Sequence, residues 1–348
     1  MMNRDIGIDV LRVISAFMVV GIHTIPLYAG TGTTSDYINM LLQAIVRSGL
    51  PIFFIISGAF LLTHEVKSIS KWYITRFSSI LIPFVAYAYI HYTYAGDLTI
   101  FSTATLKGFS TALLSSQTSI SVHYWFIYVM IGLYLLTPAL SSMMHGMSAL
   151  GAKRAFILIM VIHAVSSNYQ IVQYATNIPN IFMIPEVYIW MLYFICGGLL
   201  FKCRELFSFN MSLSMVAFGL LMTAVLTWLT PNKFGFTFQQ YDVNVTMLIF
   251  TSGLFLLFSK ESSFFSGLGK RTVDFISFFG KKTYGIYLIH ILVLSLVIKH
   301  MPTVSDMIAR YNMNIFMTII VFAISCFFAT FIDIPLEYIV KRIKQVSK

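Results

Sequence analysis

Runs of about twenty apolar residues recur along this chain, and that spacing narrows its possible folds more than any other feature. A run of that length crosses the hydrocarbon core of a bilayer as a helix. Inside lipid every backbone N–H and C=O must be bonded within the protein, which leaves helices and closed barrels as spanning structures. Helices are predicted near 6–27, 41–62, 75–95, 121–141, 155–172, 186–201, 211–230, 242–259, 283–299 and 314–336. The expected fold is an all-α, polytopic integral membrane helix bundle of about ten transmembrane helices, with both termini cytoplasmic. Composition agrees: 58% of the 348 residues are hydrophobic and 10% charged, against roughly 25% charged in soluble domains.

The placement of charge tests this reading independently of hydropathy, because cytoplasmic loops are rich in Lys and Arg. With the N-terminus inside, seventeen of the 23 basic residues fall in cytoplasmic segments and five (Arg47, Lys107, Lys233, Lys299, Arg310) on the opposite side. Arg12 lies within the first helix. The net charge of +10 is spread along the chain rather than clustered, which argues against a nucleic-acid partner. The cysteines Cys196, Cys203 and Cys326 have neither CxxC nor metal spacing, so neither a disulfide framework nor a metal site is expected. The first apolar run carries Asp9 and Arg12 and is followed by many more, so it reads as a retained helix rather than a cleaved signal. The segments near 96–120, 173–185 and 231–241 are expected as outer loops.

Ionisable residues inside spans are costly and mark candidate sites. The first helix has three: Asp9, Arg12 and His23. Arg12 and His23 are eleven positions apart, so they share a helix face about 16 Å apart along the axis. Asp9, three before Arg12, is within helix-pair reach. One stripe thus runs from an ion pair to an imidazole, although snorkelling side chains and a packed histidine give the same pattern. Further candidates are the Gly- and Ser-containing stretch Ser48–Gly58, read as a close helix contact or an interrupted helix, and Arg76 to Pro83 at a cytoplasmic mouth. Arg76 suits a phosphate there, or serves as an ordinary positive-inside anchor. In His123-Tyr124-Trp125-Phe126, an interfacial aromatic belt is the default reading of Tyr124 and Trp125, with a sugar-stacking platform as the alternative. Thr283–His290 puts Tyr287 and His290 on one broad face and suggests a polar chamber. Asp333 and Glu337 are expected to pair with Lys341 or Arg342, and Glu186 to favour a helix start.

In order along the chain stand Asp9-x-x-Arg12-x10-His23, Gly49-x-Pro51-x-Phe53-Phe54-x-x-Ser57-Gly58, Arg76 followed by Pro83, Trp125-Phe126 and Tyr284-Gly285-x-Tyr287-Leu288-x-His290. This series resembles the acyltransferase family 3 membrane O-acyltransferases over essentially the whole chain, in the stand-alone type. The resemblance implies a single transmembrane acyltransferase domain over 1–340 with a short basic cytoplasmic tail at 341–348. It implies a multi-pass enzyme of the bacterial cytoplasmic (inner) membrane. Such an enzyme moves an acyl group, acetyl by default, from cytoplasmic acetyl-CoA to a sugar hydroxyl of a surface polysaccharide such as the O-antigen of lipopolysaccharide. Acetyl-CoA is then a donor substrate, with no bound cofactor. The implied partners are this donor, a lipid-linked or surface polysaccharide acceptor, and membrane lipid. His23, Arg12 and Asp9 are the implied catalytic group, and Arg76, Arg12 and Lys71 the donor-binding group. Trp125, Tyr287 and His290 belong to the acceptor or chamber. The family often has a second arginine three residues after the one matched to Arg76. Here Ser79 stands there, which leaves Lys71 or Lys281 to supply the charge. The alternative from another class is a transporter or flippase of a small solute or lipid-linked sugar, which would also use buried His, Arg and Tyr. The absence of a visible internal repeat counts against it.

Overall fold

The computed structural model describes residues 5–176, 188–234, 244–260, 265 and 267–346, and among them there are helices and the turns that join them, with no strand. Thirteen α-helices follow in chain order: α1 (Ile6–Thr24), α2 (Thr34–Val46), α3 (Gly49–Leu61), α4 (Ile69–Ala95), α5 (Thr103–Ser115), α6 (Trp125–His145), α7 (Ala149–Thr176), α8 (Ile189–Cys203), α9 (Phe209–Phe234), α10 (Val245–Lys260), α11 (Lys270–His300), α12 (Pro302–Arg310) and α13 (Asn314–Val346). Among the described residues, eight spans are long and apolar enough to cross a membrane, with α2 and α3 together making one of them. The described parts of α8 and α10 are shorter, at 15 and 16 residues. Each of the ten expected spans therefore corresponds to one of these helices or to the α2–α3 pair.

The expected second span is divided. Pro51 has no N–H to bond the Arg47 carbonyl, so a continuous helix would lose a rung there, and the turn falls at Arg47 and Ser48. The Ser48 hydroxyl donates to the Ile45 carbonyl at 2.7 Å and seals the end of α2. Two short helices lie in segments expected as loops. Ser102 caps α5 by accepting from the Thr105 N–H at 3.0 Å, and Pro302 opens α12 at a position where its missing N–H costs nothing. The last helix runs on to Val346, so the basic residues from 341 continue it. Glu186 lies outside the described residues, as do parts of the loops expected at 173–185 and 231–241.

The chain divides into two compact units, Met1–Glu65 with Leu140–Gly280, and Val66–Ala139 with Lys281–Lys348. In the first, α1 packs on α2, α3 and α10, α3 packs on α8, and α9 packs on α10. These contacts are backbone-close. A Cβ at Gly58 would strike the Phe194 carbonyl, and one at Gly197 would strike the Ile55 carbonyl, so α3 and α8 touch through reciprocal glycines. Lipid tails are as apolar as Leu, so close approach of this kind replaces the hydrophobic effect as the source of helix association. In the second unit α4 packs on α5 and α13, and α12 on α13. The outward rows of α7 (Leu158, Val161, Val165) and α13 (Phe327, Phe331, Ile334) are exposed and apolar, a surface suited to lipid.

Candidate active site

The first unit carries the stripe predicted on α1. The carboxylate of Asp5 caps the helix, accepting from the N–H groups of Gly7 and Ile8 at 3.1 and 3.3 Å. One turn later Arg12 Nη1 donates to Asp9 Oδ1 at 3.2 Å. Asp9 is 1% exposed, whereas Arg12 keeps about a third of its side chain accessible and lies 5.0 Å from the centre of the Phe60 ring. A buried carboxylate needs such a partner, since an isolated ion in an apolar interior costs several kcal/mol. The helix then runs unbroken to His23, which is half-buried one residue before its end.

The surroundings of His23 include residues that the sequence reading passed over. Gln43 on α2, fully buried, donates to the carbonyls of Ile22 and Ile25 and so pins the C-terminal end of α1. Its own carbonyl oxygen accepts from Arg47 Nε at 3.1 Å. Arg47 stands close enough to His23 for its charge to act on the imidazole. A polar residue inside an apolar run was the available signal for Gln43.

The second unit holds a cluster of imidazoles and phenols. His123 and Tyr124 are 3% and 1% exposed; both turn inward, so Tyr124 does not belong to the expected aromatic belt. Trp125 is half-buried, at the start of α6. The rings of His123 and His290 lie 4.7 Å apart, and His91 on α4 lies 6.3 Å from His123. Carbonyls accept only, which assigns the tautomers. His290 Nδ1 donates to the Tyr287 carbonyl at 2.6 Å, leaving Nε2 with the basic lone pair. His123 Nε2 donates to the Leu288 carbonyl at 3.3 Å and its Nδ1 accepts from Ser121 at 2.8 Å. Tyr124 donates to the same Leu288 carbonyl at 3.1 Å, and Tyr287 donates to the His123 carbonyl. The predicted pair Tyr287 and His290 is thus brought together. The contribution of His91 comes from tertiary contact, and that of Ser121 from a bond to the ring two residues on; neither belongs to a motif read in the sequence.

A charged knot follows along α11. Lys282, 6% exposed, bridges Glu337 at 2.8 Å and Asp333 at 3.6 Å. Tyr87 on α4 donates to Asp333 at 2.7 Å. Asp333 and Glu337 therefore pair with Lys282 rather than with Lys341 or Arg342, and Arg342 bonds the Tyr338 hydroxyl instead. Residues four apart share a helix face, but a lysine on the neighbouring helix reaches both acids from inside. Gly285 makes room for this: a Cβ there would press on the Tyr87 hydroxyl and the Asp333 carboxylate. Beside the knot is a cavity of about 620 Å³, whose lining includes Ser79, Lys281, Tyr284, Lys341 and Lys344. Arg76 and Lys71 are exposed on α4 and are not part of that lining. Among the described residues, no three His, Cys, Asp or Glu side chains are grouped to hold a metal ion.

A family model, described as an acyltransferase domain, matches residues 5–334 and so takes in both units. No curated protein and no solved structure matches the chain. With nearly its whole length matched, this multi-pass membrane protein belongs to acyltransferase family 3 and is an acyltransferase.

Proposed function

We propose that the protein transfers an acetyl group from cytoplasmic acetyl-CoA to a sugar hydroxyl of a cell-surface polysaccharide, such as O-antigen, in the bacterial cytoplasmic (inner) membrane. The observation that carries this reading is the stripe on α1. Within a chain of acyltransferase family 3, one unbroken helix bears a paired arginine at its start and an imidazole near its end. The rise between them, about 16 Å, suits a donor that is charged at one end and reactive at the other.

The chemistry is attack of a hydroxyl oxygen on the thioester carbonyl. A new C–O bond forms, the C–S bond breaks, and coenzyme A leaves as the thiolate. His23 takes the proton of the attacking hydroxyl as general base and passes it to the departing sulfur. Asp9 holds Arg12 in place. Arg12, Arg76 and Lys71 offer cationic partners for the donor phosphates, with guanidinium forks suited to phosphate oxygens. Trp125, Tyr287 and His290 serve the acceptor, the aromatic rings against sugar faces and His290 Nε2 toward a hydroxyl.

Mass spectrometry of surface polysaccharide from cells with and without the gene tests the reading. It predicts an acetyl increment on one sugar that disappears on deletion. Identical spectra from the two strains would contradict it.

A further inference from the structure

The cavity in the second unit has a charge pattern of which only Lys281 has entered the reading above. Its wall brings Lys281 from α11 together with Lys341 and Lys344 from α13. Two acids, Asp333 and Glu337, share that wall, but both are engaged by Lys282. With Lys282 counted, four ammonium groups stand against two carboxylates. Arg76 adds a fifth cation, close enough to Lys344 to repel it.

Cations converging on a recess repel one another, and the cost grows where the walls exclude water. Lysines that serve only as membrane anchors are free to fan out toward headgroups. Here they come from two helices onto one hollow backed by Tyr284, Gly285 and Pro83. Lys282, bridging Asp333 and Glu337, ties α11 to α13, and the two carboxylates are outnumbered by the cations around them. A volume of about 620 Å³ lies within the size range of small-molecule sites, roughly 300–1,000 Å³.

From this convergence we infer that the cavity is a binding site for a phosphate-bearing anion, held by Lys281, Lys341 and Lys344. Given the acyl-CoA reading on which this identification rests, the ligand is the phosphate-rich nucleotide end of the donor. An anionic phospholipid headgroup presents the same chemistry.

The test uses the full-length protein purified in detergent, with coenzyme A as the probe in equilibrium binding. Phosphatidylglycerol retained per protein is measured in parallel by mass spectrometry. The variants are Lys341→Ser with Lys344→Ser, and the corresponding double change to arginine. The site predicts that the serine pair weakens coenzyme A binding at least about tenfold, that binding falls steeply with salt, and that the arginine pair restores it. Loss of retained phosphatidylglycerol with coenzyme A binding intact assigns the same anion site to a lipid headgroup. If both ligands bind the serine pair as they bind the parent, in protein that elutes and melts like the parent, the inference is overturned. A parent protein that binds no coenzyme A while holding the lipid through these lysines would instead count against the acyl-CoA reading and leave the anion site standing.

Discussion

The two units solve the problem of cohesion in lipid by different means. In the first, helices meet at glycines, carbonyl against Cα, and the polar residues between them are mostly neutral. Thr223, for instance, donates to Thr246 at 2.8 Å between α9 and α10. Of its buried acids, Asp9 accepts from Arg12 on its own helix, and Asp36 accepts from the N–H groups of Ala29 and Thr31. In the second, charged and aromatic side chains make the joints: Lys282 with Asp333 and Glu337, Tyr87 with Asp333, and the rings of His91, His123 and His290. Small-residue packing is cheap and stable, and it needs no ion. Buried ion pairs cost desolvation and are weak evidence for stability, so a unit that uses them beside a cavity has reason to keep charge there. The difference separates joints made by close backbone packing from joints that hold charge beside a cavity.

Three changes probe that distinction. Lys282→Met should act most strongly, because it leaves Asp333 buried without its cation. A loss of about 3–5 kcal/mol is expected from removing one partner of a buried pair. Adding Asp333→Asn should recover part of it. A single variant that melts with the parent in detergent would show that the knot is not a joint. Gly197→Leu attacks the first unit in its own terms, driving a side chain into the Ile55 carbonyl. Overpacking of this kind costs about 1–3 kcal/mol, and an unshifted melting curve would mean that α3 and α8 do not meet through their glycines. The mildest is a paired change at His290. Asn retains a donor near Nδ1 for the Tyr287 carbonyl and loses Nε2, whereas Gln places its amide near Nε2. If the acceptor hydroxyl is held at Nε2, acceptor KM should rise about tenfold in the Asn variant and less in the Gln variant, the scale of one hydrogen bond. Equal KM values in the two variants would remove His290 from the acceptor site.

Much of the fold could be read from the chain because lipid imposes a single length rule on each span. The ten expected segments all match helices or a helix pair, and an interrupted helix was one of the two readings that the Gly and Ser residues of Ser48–Gly58 allowed. The local part of the site was legible for the same reason. Asp9 and Arg12 are three apart on one helix, and Tyr287 and His290 are three apart on another, so helix geometry alone joins each pair. What sequence spacing could not supply were contacts between one helix and another. Lys282 takes Asp333 from Lys341, His91 joins His123, and Gln43 reaches back to the end of α1. The inward turn of Tyr124 was missed because an aromatic residue near a span end has the same composition signal whether it faces headgroups or a core.

The central claim is that His23 activates the acceptor hydroxyl, and one measurement bears on it directly. Purified protein, reconstituted in vesicles with acetyl-labelled acetyl-CoA and polysaccharide acceptor, is followed for label on sugar oxygen, with His23→Ala alongside. The account predicts transfer by the parent and a loss of at least about a hundredfold in the variant, the scale of general-base catalysis, with insertion and melting unchanged. Transfer by His23→Ala at a rate near that of the parent would contradict it.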